Sequence, residues 1–164
     1  MDVLTAEQRR FNMSRIRGRD TVPELLIRRA LHAKGFRYRL HDRRLPGRPD
    51  LVFPKYRAVI FIHGCFWHGH DCHLFKWPST RKEFWQEKIE RNRARDDSAI
   101  RKLQENAWRV LIVWECALKG PHRTALPSIT YQCVSFLQSR LSALSIPGTP
   151  LNHESAAISR AQGG

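Results

Sequence analysis

Apolar positions along the chain change their spacing several times, and each change predicts an element. Thr5-Ala-Glu-Gln8 has the three-residue spacing of a reciprocal helix cap and predicts a short basic helix to about Arg17. Thr21-Val-Pro-Glu24 repeats the device, with Pro23 in the first turn, and Leu25, Leu26, Ala30 and Leu31 form a stripe that stops at Gly35. Phe36-Arg-Tyr-Arg-Leu40 alternates apolar with polar, as a half-buried strand does. Beyond the turn Pro46-Gly-Arg-Pro49, residues 50–53 and 57–62 read as two strands, the second so evenly apolar that both of its faces must be covered. Thr80-Arg-Lys-Glu83 predicts a long charged helix to about Ala107 with Trp85, Ile89, Ile100 and Leu103 as sparse apolar positions. A buried strand over 108–114 and a last amphipathic helix over 129–144 follow. From Ser145 the Pro, Gly, Ser and Ala content predicts a disordered tail, which divides the chain into a domain over 1–144 and a tail over 145–164. The expected fold is a single α/β domain, a central mixed β-sheet flanked by helices.

Composition narrows the function. A 164-residue chain with 41% hydrophobic residues can build one real core. It has no apolar run of bilayer length, and its first residues lack the apolar centre of a secretory signal, so a cytoplasmic location is expected. Lys and Arg number 29 against 15 Asp and Glu, a formal charge of +14 that calls for a polyanionic partner. Nucleic acid fits better than a membrane, because no clean basic amphipathic helix stands beside a lipidation signal. Four cysteines without a secretion signal point to reduced thiols or a metal site rather than to disulfides.

The chemistry concentrates in HGCFWHGHDCH, residues 63–73. Cys65, His70 and Cys72 fall within eight residues, and Cys116 follows the last predicted strand, where a sheet neighbour can approach the same loop. Three thiolates and one imidazole make a closed structural zinc set; the plainer alternative is a pair of buried thiols, and by spacing His73 could replace His70. Asp50 alone is most simply a turn aspartate. If the strands starting at Asp50 and ending at Ile62 are antiparallel, however, Asp50 meets His63 and His68, and a histidine suits general-base work on water. Phe66 and Trp67 are pinned between ligands, so at least one ring is expected to project as a wedge that opens a DNA base step, most easily a mispaired one.

LPGRPDLV (45–52), VIFIHGCFWHGHDCH (59–73), EFWQEKIERN (83–92) and WRVLIVWECAL (108–118) resemble, in order and interval, the very short patch repair endonucleases, bacterial enzymes that nick DNA at T:G mismatches. The likeness runs from about Asn12 to Leu118. It implies a restriction-endonuclease-like fold, Mg²⁺ near Asp50, His68 as general base, Glu24 and His63 as supporting groups, and structural Zn²⁺ on Cys65, His70, Cys72 and Cys116. By the same likeness Phe66, Trp67 and Trp85 intercalate, while Met13, Lys88 and Asn92 touch DNA near the mispair. Glu24 also occupies a helix-cap position. Ile62 stands where the family often has threonine, which leaves its backbone carbonyl as the Mg²⁺ ligand. The implied protein is a monomer acting on double-stranded DNA, with mismatch-repair proteins as possible partners. Two rival readings are a zinc-stabilised DNA-binding module without catalysis and a metal nuclease of this architecture with another target.

Overall fold

The computed structural model describes residues 5–8, 10 and 20–149. The first cap forms as expected: the Thr5 N–H donates to Gln8 Oε1 at 2.9 Å and the Gln8 N–H to Thr5 Oγ1 at 3.1 Å. Residues 6–8 and 10 are helical, and residues 9 and 11–17 of that predicted helix, Met13 among them, lie outside the described residues.

Helix α1 (Val22–Ala33) starts at Thr21, whose side chain accepts from the Glu24 N–H. Strand β1 (Arg39–Leu40) is shorter than the alternation predicts. Phe36 is drawn into the core instead, and the Tyr38 hydroxyl donates back to the Arg28 carbonyl at 2.8 Å. Strand β2 (Leu51–Phe53) is followed by a 3₁₀ turn, strand β3 (Ala58–His63), helix α2 (Lys82–Glu105) and strand β4 (Arg109–Trp114). The Thr80 cap does not form: Arg81 caps α2 in a left-handed conformation without a side-chain bond.

The C-terminal expectation needs correction. Helix α3 (Leu126–Gln138) ends at Ser139, and Ala143–Ile146 is strand β5, pairing parallel to β4 from Val110↔Ala143 to Val113↔Ile146. Ser145 and Ile146 therefore belong to the sheet. Four residues are too few to show an alternation of their own; the strand exists because β4 offers an open edge.

The sheet order is β1-β2-β3-β4-β5, antiparallel across the first three strands and parallel across the last three. This is the predicted mixed sheet, with β3 at its centre. Alternation sorts the side chains by face. Leu51, Phe53, Ala58, Ile60, Leu111 and Val113 pack with α1 and α3 around Ile27, Leu31, Ile129 and Phe136, while Val52, Val59, Phe61 and Val110 pack around Leu103 of α2. Helices on both faces explain the nearly unbroken apolar strands. No helix among the described residues is long and apolar enough to cross a membrane.

Candidate functional site

Where β2 begins, Asp50 stands one residue short of the ladder, and its Oδ2 accepts the Ile62 N–H at 2.7 Å. The antiparallel pairing Leu51↔Ile60 thus carries the Asp50 carboxylate to the end of β3, beside His63. Burial pushes the Asp50 carboxyl up to about 6; the Ile62 N–H opposes that shift and the nearby Glu24 carboxylate adds to it.

His63 and His68 lie flat against each other, with ring centroids 3.8 Å apart and planes at 0°. Burial, reinforced by His68, pushes His63 down to about 3 and keeps it neutral. His68 Nδ1 meets Asp96 Oδ2 at 2.5 Å. A carboxylate accepts, so this contact favours the tautomer of the neutral ring with its proton on Nδ1 and its lone pair on Nε2. Asp50, Ile62, His63, His68 and Asp96 line one cavity of about 330 Å³.

Glu24 is nearly fully buried, and its carboxylate is not spent on the Thr21 cap. Oε2 accepts the Asp20 N–H at 2.9 Å, Oε1 accepts from His41 Nε2, and Arg28 lies 3.5 Å away. His41 Nε2 is also 4.0 Å from Asp50 Oδ1, so one imidazole faces both carboxylates.

The four metal-type ligands converge. Ligand atoms of Cys65, His70, Cys72 and Cys116 all lie within 4.8 Å of one another, and His70 Nδ1 is 3.6 Å from the sulfurs of both Cys65 and Cys116. His73 does not join them: its ring stacks on His122 at 4.2 Å. Burial raises the Cys65 and Cys116 thiols, which a bound dication would offset by holding them as thiolates. A compact set of sulfurs and one imidazole nitrogen fits zinc.

Neither ring of the expected wedge projects freely. Phe66 and Trp67 are half-buried, 5.2 Å apart edge to face, and Trp85 packs 5.4 Å from Phe66 and 6.0 Å from Trp67. Mutual ring contact buries them despite the ligands on both sides; the exposed aromatics nearby are Trp77 and Phe84. Lys88 Nζ sits 5.6 Å over Trp67 and 5.9 Å over Trp85, and Asn92 donates to the Trp67 carbonyl at 2.9 Å. Phe66, Trp67, His63 and His68 share a second cavity of about 660 Å³, so the aromatic cluster adjoins the histidine pair.

The family model of DNA mismatch endonuclease Vsr matches residues 1–74. DNA mismatch endonuclease Vsr of Escherichia coli (strain K12) is 51% identical over 129 residues, spanning 79% of this chain and 83% of that protein. The chain belongs to the Vsr family. Other relatives include the type II nicking enzymes V.XorIIP of Xanthomonas oryzae, 49% identical over 117 residues (71% of this chain, 86% of the relative), and V.NmeAIP of Neisseria meningitidis, 45% identical over 119 residues (73% and 85%). Membership in the Vsr family makes the chain a DNA endonuclease.

Sequence reasoning missed Asp96 and His41. Asp96 sits in a charged run of α2 that reads as a solvated face. Its signal was spacing: Trp85, Lys88, Asn92 and Asp96 fall at i, i+3, i+7 and i+11, one stripe turned toward the 63–73 loop. His41 follows β1 in a polar turn with φ 47°, and nothing in its neighbourhood of the sequence marks it.

Proposed function

We propose that this protein, a monomer in the cytoplasm, nicks one strand of duplex DNA beside a T:G mismatch with Mg²⁺ and so starts very short patch repair. The observation that carries the reading is the junction of two features: the Asp50, His63, His68, Asp96 cavity opens beside the Phe66, Trp67, Trp85 cluster. One supplies hydrolytic groups and the other a surface on which an opened base step can stack.

The donors suit a hard cation. Asp50 presents a carboxylate whose charge is disfavoured by burial and by Glu24, a situation a divalent cation relieves, and Ile62 adds a backbone carbonyl. Bound there, Mg²⁺ would act as a Lewis acid toward the phosphate. His68 Nε2 takes a proton from water as the water oxygen bonds to phosphorus and a P–O bond to the sugar breaks, its electron pair going to the sugar oxygen, which takes a proton from solvent to become a hydroxyl. Asp96 fixes the imidazole in the tautomer that can do so and stabilises the charge it gains. His63, neutral and stacked on His68, fixes the plane of that ring. Glu24 is held by Asp20, Arg28 and His41 beside the same carboxylate. Zinc on Cys65, His70, Cys72 and Cys116 holds the loop and, with four protein ligands, leaves no position for substrate. Phe66, Trp67 and Trp85 intercalate at the mispair, with Met13, Lys88 and Asn92 contacting the DNA around it. Mismatch-repair proteins are the partners that this role implies.

The test is a nicking assay with Mg²⁺ on duplexes carrying each mismatch, and on the matched duplex. Nicking of one strand of the T:G duplex in preference to the others is the expected result; equal cutting of matched DNA, or no cutting, overturns the reading.

A further inference from the structure

Among the described residues, the lining of the Asp50 cavity includes one arginine and no lysine. Its charged and titratable lining comprises Asp50, Asp96, His63, His68 and Arg48. Asp50 and Asp96 are acidic, and Asp96 is engaged with His68. His63 is buried and stacked on His68. A phosphodiester entering this cavity meets carboxylates and must find a cation from the protein as well as from any bound metal. Neighbouring cations are committed elsewhere: Arg93 donates to the Gly69 carbonyl, Arg28 pairs with Asp20 and Glu24, and Lys119 lies 4.0 Å from Glu115. Arg48 is exposed, and among the described residues its guanidinium has no hydrogen-bond or ion-pair partner.

The backbone that presents Arg48 is built at a cost. Arg48 has φ 48° and Gly47 φ 74°, so two successive residues occupy the left-handed region. A side chain is disfavoured there, and the Pro49 that follows disfavours it further. Gly47 cannot be replaced to relieve the turn, since a Cβ on it would lie 2.8 Å from Ala99 Cβ and 3.1 Å from the Phe61 ring. The turn is thus pressed against α2 and β3, and from it Arg48 reaches the cavity two residues ahead of Asp50. Strain of this kind persists where the surroundings over-determine it, commonly at working sites.

We propose that Arg48 is a catalytic residue that binds the scissile phosphate, its fork of N–H groups donating to the non-bridging oxygens as charge builds on them. This rests on the nuclease reading above. A guanidinium offers bidentate geometry that an ammonium does not, so lysine should replace it only in part.

The experiment compares wild type, Arg48→Gly and Arg48→Lys on the T:G duplex with Mg²⁺, measuring single-turnover nicking, equilibrium binding and melting temperature. Glycine relaxes the left-handed position, so Arg48→Gly should melt no lower than wild type. Its nicking should slow by roughly 10²–10³-fold, as when one preorganised donor is lost. Binding should weaken by less than about tenfold, because one phosphate contact among many is removed. Arg48→Lys, which keeps the charge, should nick at an intermediate rate and serves if the glycine variant does not fold. Nicking by either variant at the wild-type rate overturns the assignment, as does a slowing fully matched by lost affinity. Failure of the wild type itself to nick overturns the nuclease reading and this proposal together.

Discussion

The indole of Trp114 lies parallel to the His70 imidazole, with ring centroids 4.0 Å apart and planes at 8°. The same indole meets His63 edge-on at 5.2 Å, and its Nε1–H donates to Ser145 Oγ at 2.9 Å. One residue at the end of β4 therefore joins the thiol-rich cluster, the stacked histidines and the last strand of the sheet.

Loss of the metal cluster should be felt at the histidine pair. Cys72→Ala should abolish stoichiometric zinc retention and lower the melting temperature by roughly 10 °C or more, because structural zinc contributes folding free energy directly. Nicking should fall as well, since Trp114 loses the fixed ring it stacks on. Metal analysis of the purified variant checks the first point; zinc retained in full would sink the ligand assignment.

Much of this arrangement was legible in the sequence, and for physical reasons. The nearly unbroken apolar runs in 51–53 and 58–62 reflect a sheet covered on both faces, so the central strands could be read from the sequence, whereas the meeting of Asp50 with the end of β3 followed only on the condition that the two strands are antiparallel, as they are. Three of the metal-type ligands could be read because Cys65, His70 and Cys72 fall close together in one knuckle, while Cys116 joins them from the end of β4. Strand β5 could not: its four residues are a strand only because β4 needs a partner. Asp96 was hidden because a functional carboxylate in a charged helix differs from its neighbours only in the face it occupies. His41 was hidden because its two carboxylate neighbours, Glu24 and Asp50, are 17 and 9 positions away and meet it only through the fold.

Asp96→Asn tests whether the carboxylate sets the tautomer of His68. An amide can donate to Nδ1 and leave the proton on Nε2, which disables the base without removing the ring. Single-turnover nicking should slow on the order of 10²–10⁴-fold, much like His68→Ala, and the double variant should be scarcely slower than either. Independent, multiplying losses would show that the two residues do not act as a unit.

The buried carboxylate gives a pH-dependent stability. Asp50 is pushed up to about 6 from an ordinary 3.8, so between those values the folded chain holds a proton that the unfolded chain has released. The group's contribution is fully present below 3.8 and is lost as pH rises through about 6. Without divalent metal, Asp50→Asn should melt at the wild-type temperature near pH 3.5 and should be more stable at pH 8, by on the order of 3 kcal/mol. Mg²⁺ should raise the melting temperature of the wild type and not of the variant, which should not nick. A stability difference independent of pH would show that the Asp50 carboxyl is not strained in this way.

Trp67 decides whether the aromatic cluster reads the mispair or merely packs. The ring is half-buried against Phe66 and Trp85 with Lys88 over it, a cluster that must part if a base step is to enter. A base stacked on an aromatic ring is worth about 1–3 kcal/mol, so Trp67→Ala should weaken T:G duplex binding by roughly 10- to 100-fold. Matched duplex, held mainly through phosphates, should lose much less, and the salt dependence of binding should stay nearly unchanged. Wild-type tryptophan fluorescence should be quenched more by mismatched than by matched DNA, because opening a mispaired step costs less. A Trp67→Ala protein that melts early yet keeps its full mismatch preference would make Trp67 a packing residue and remove it from the wedge.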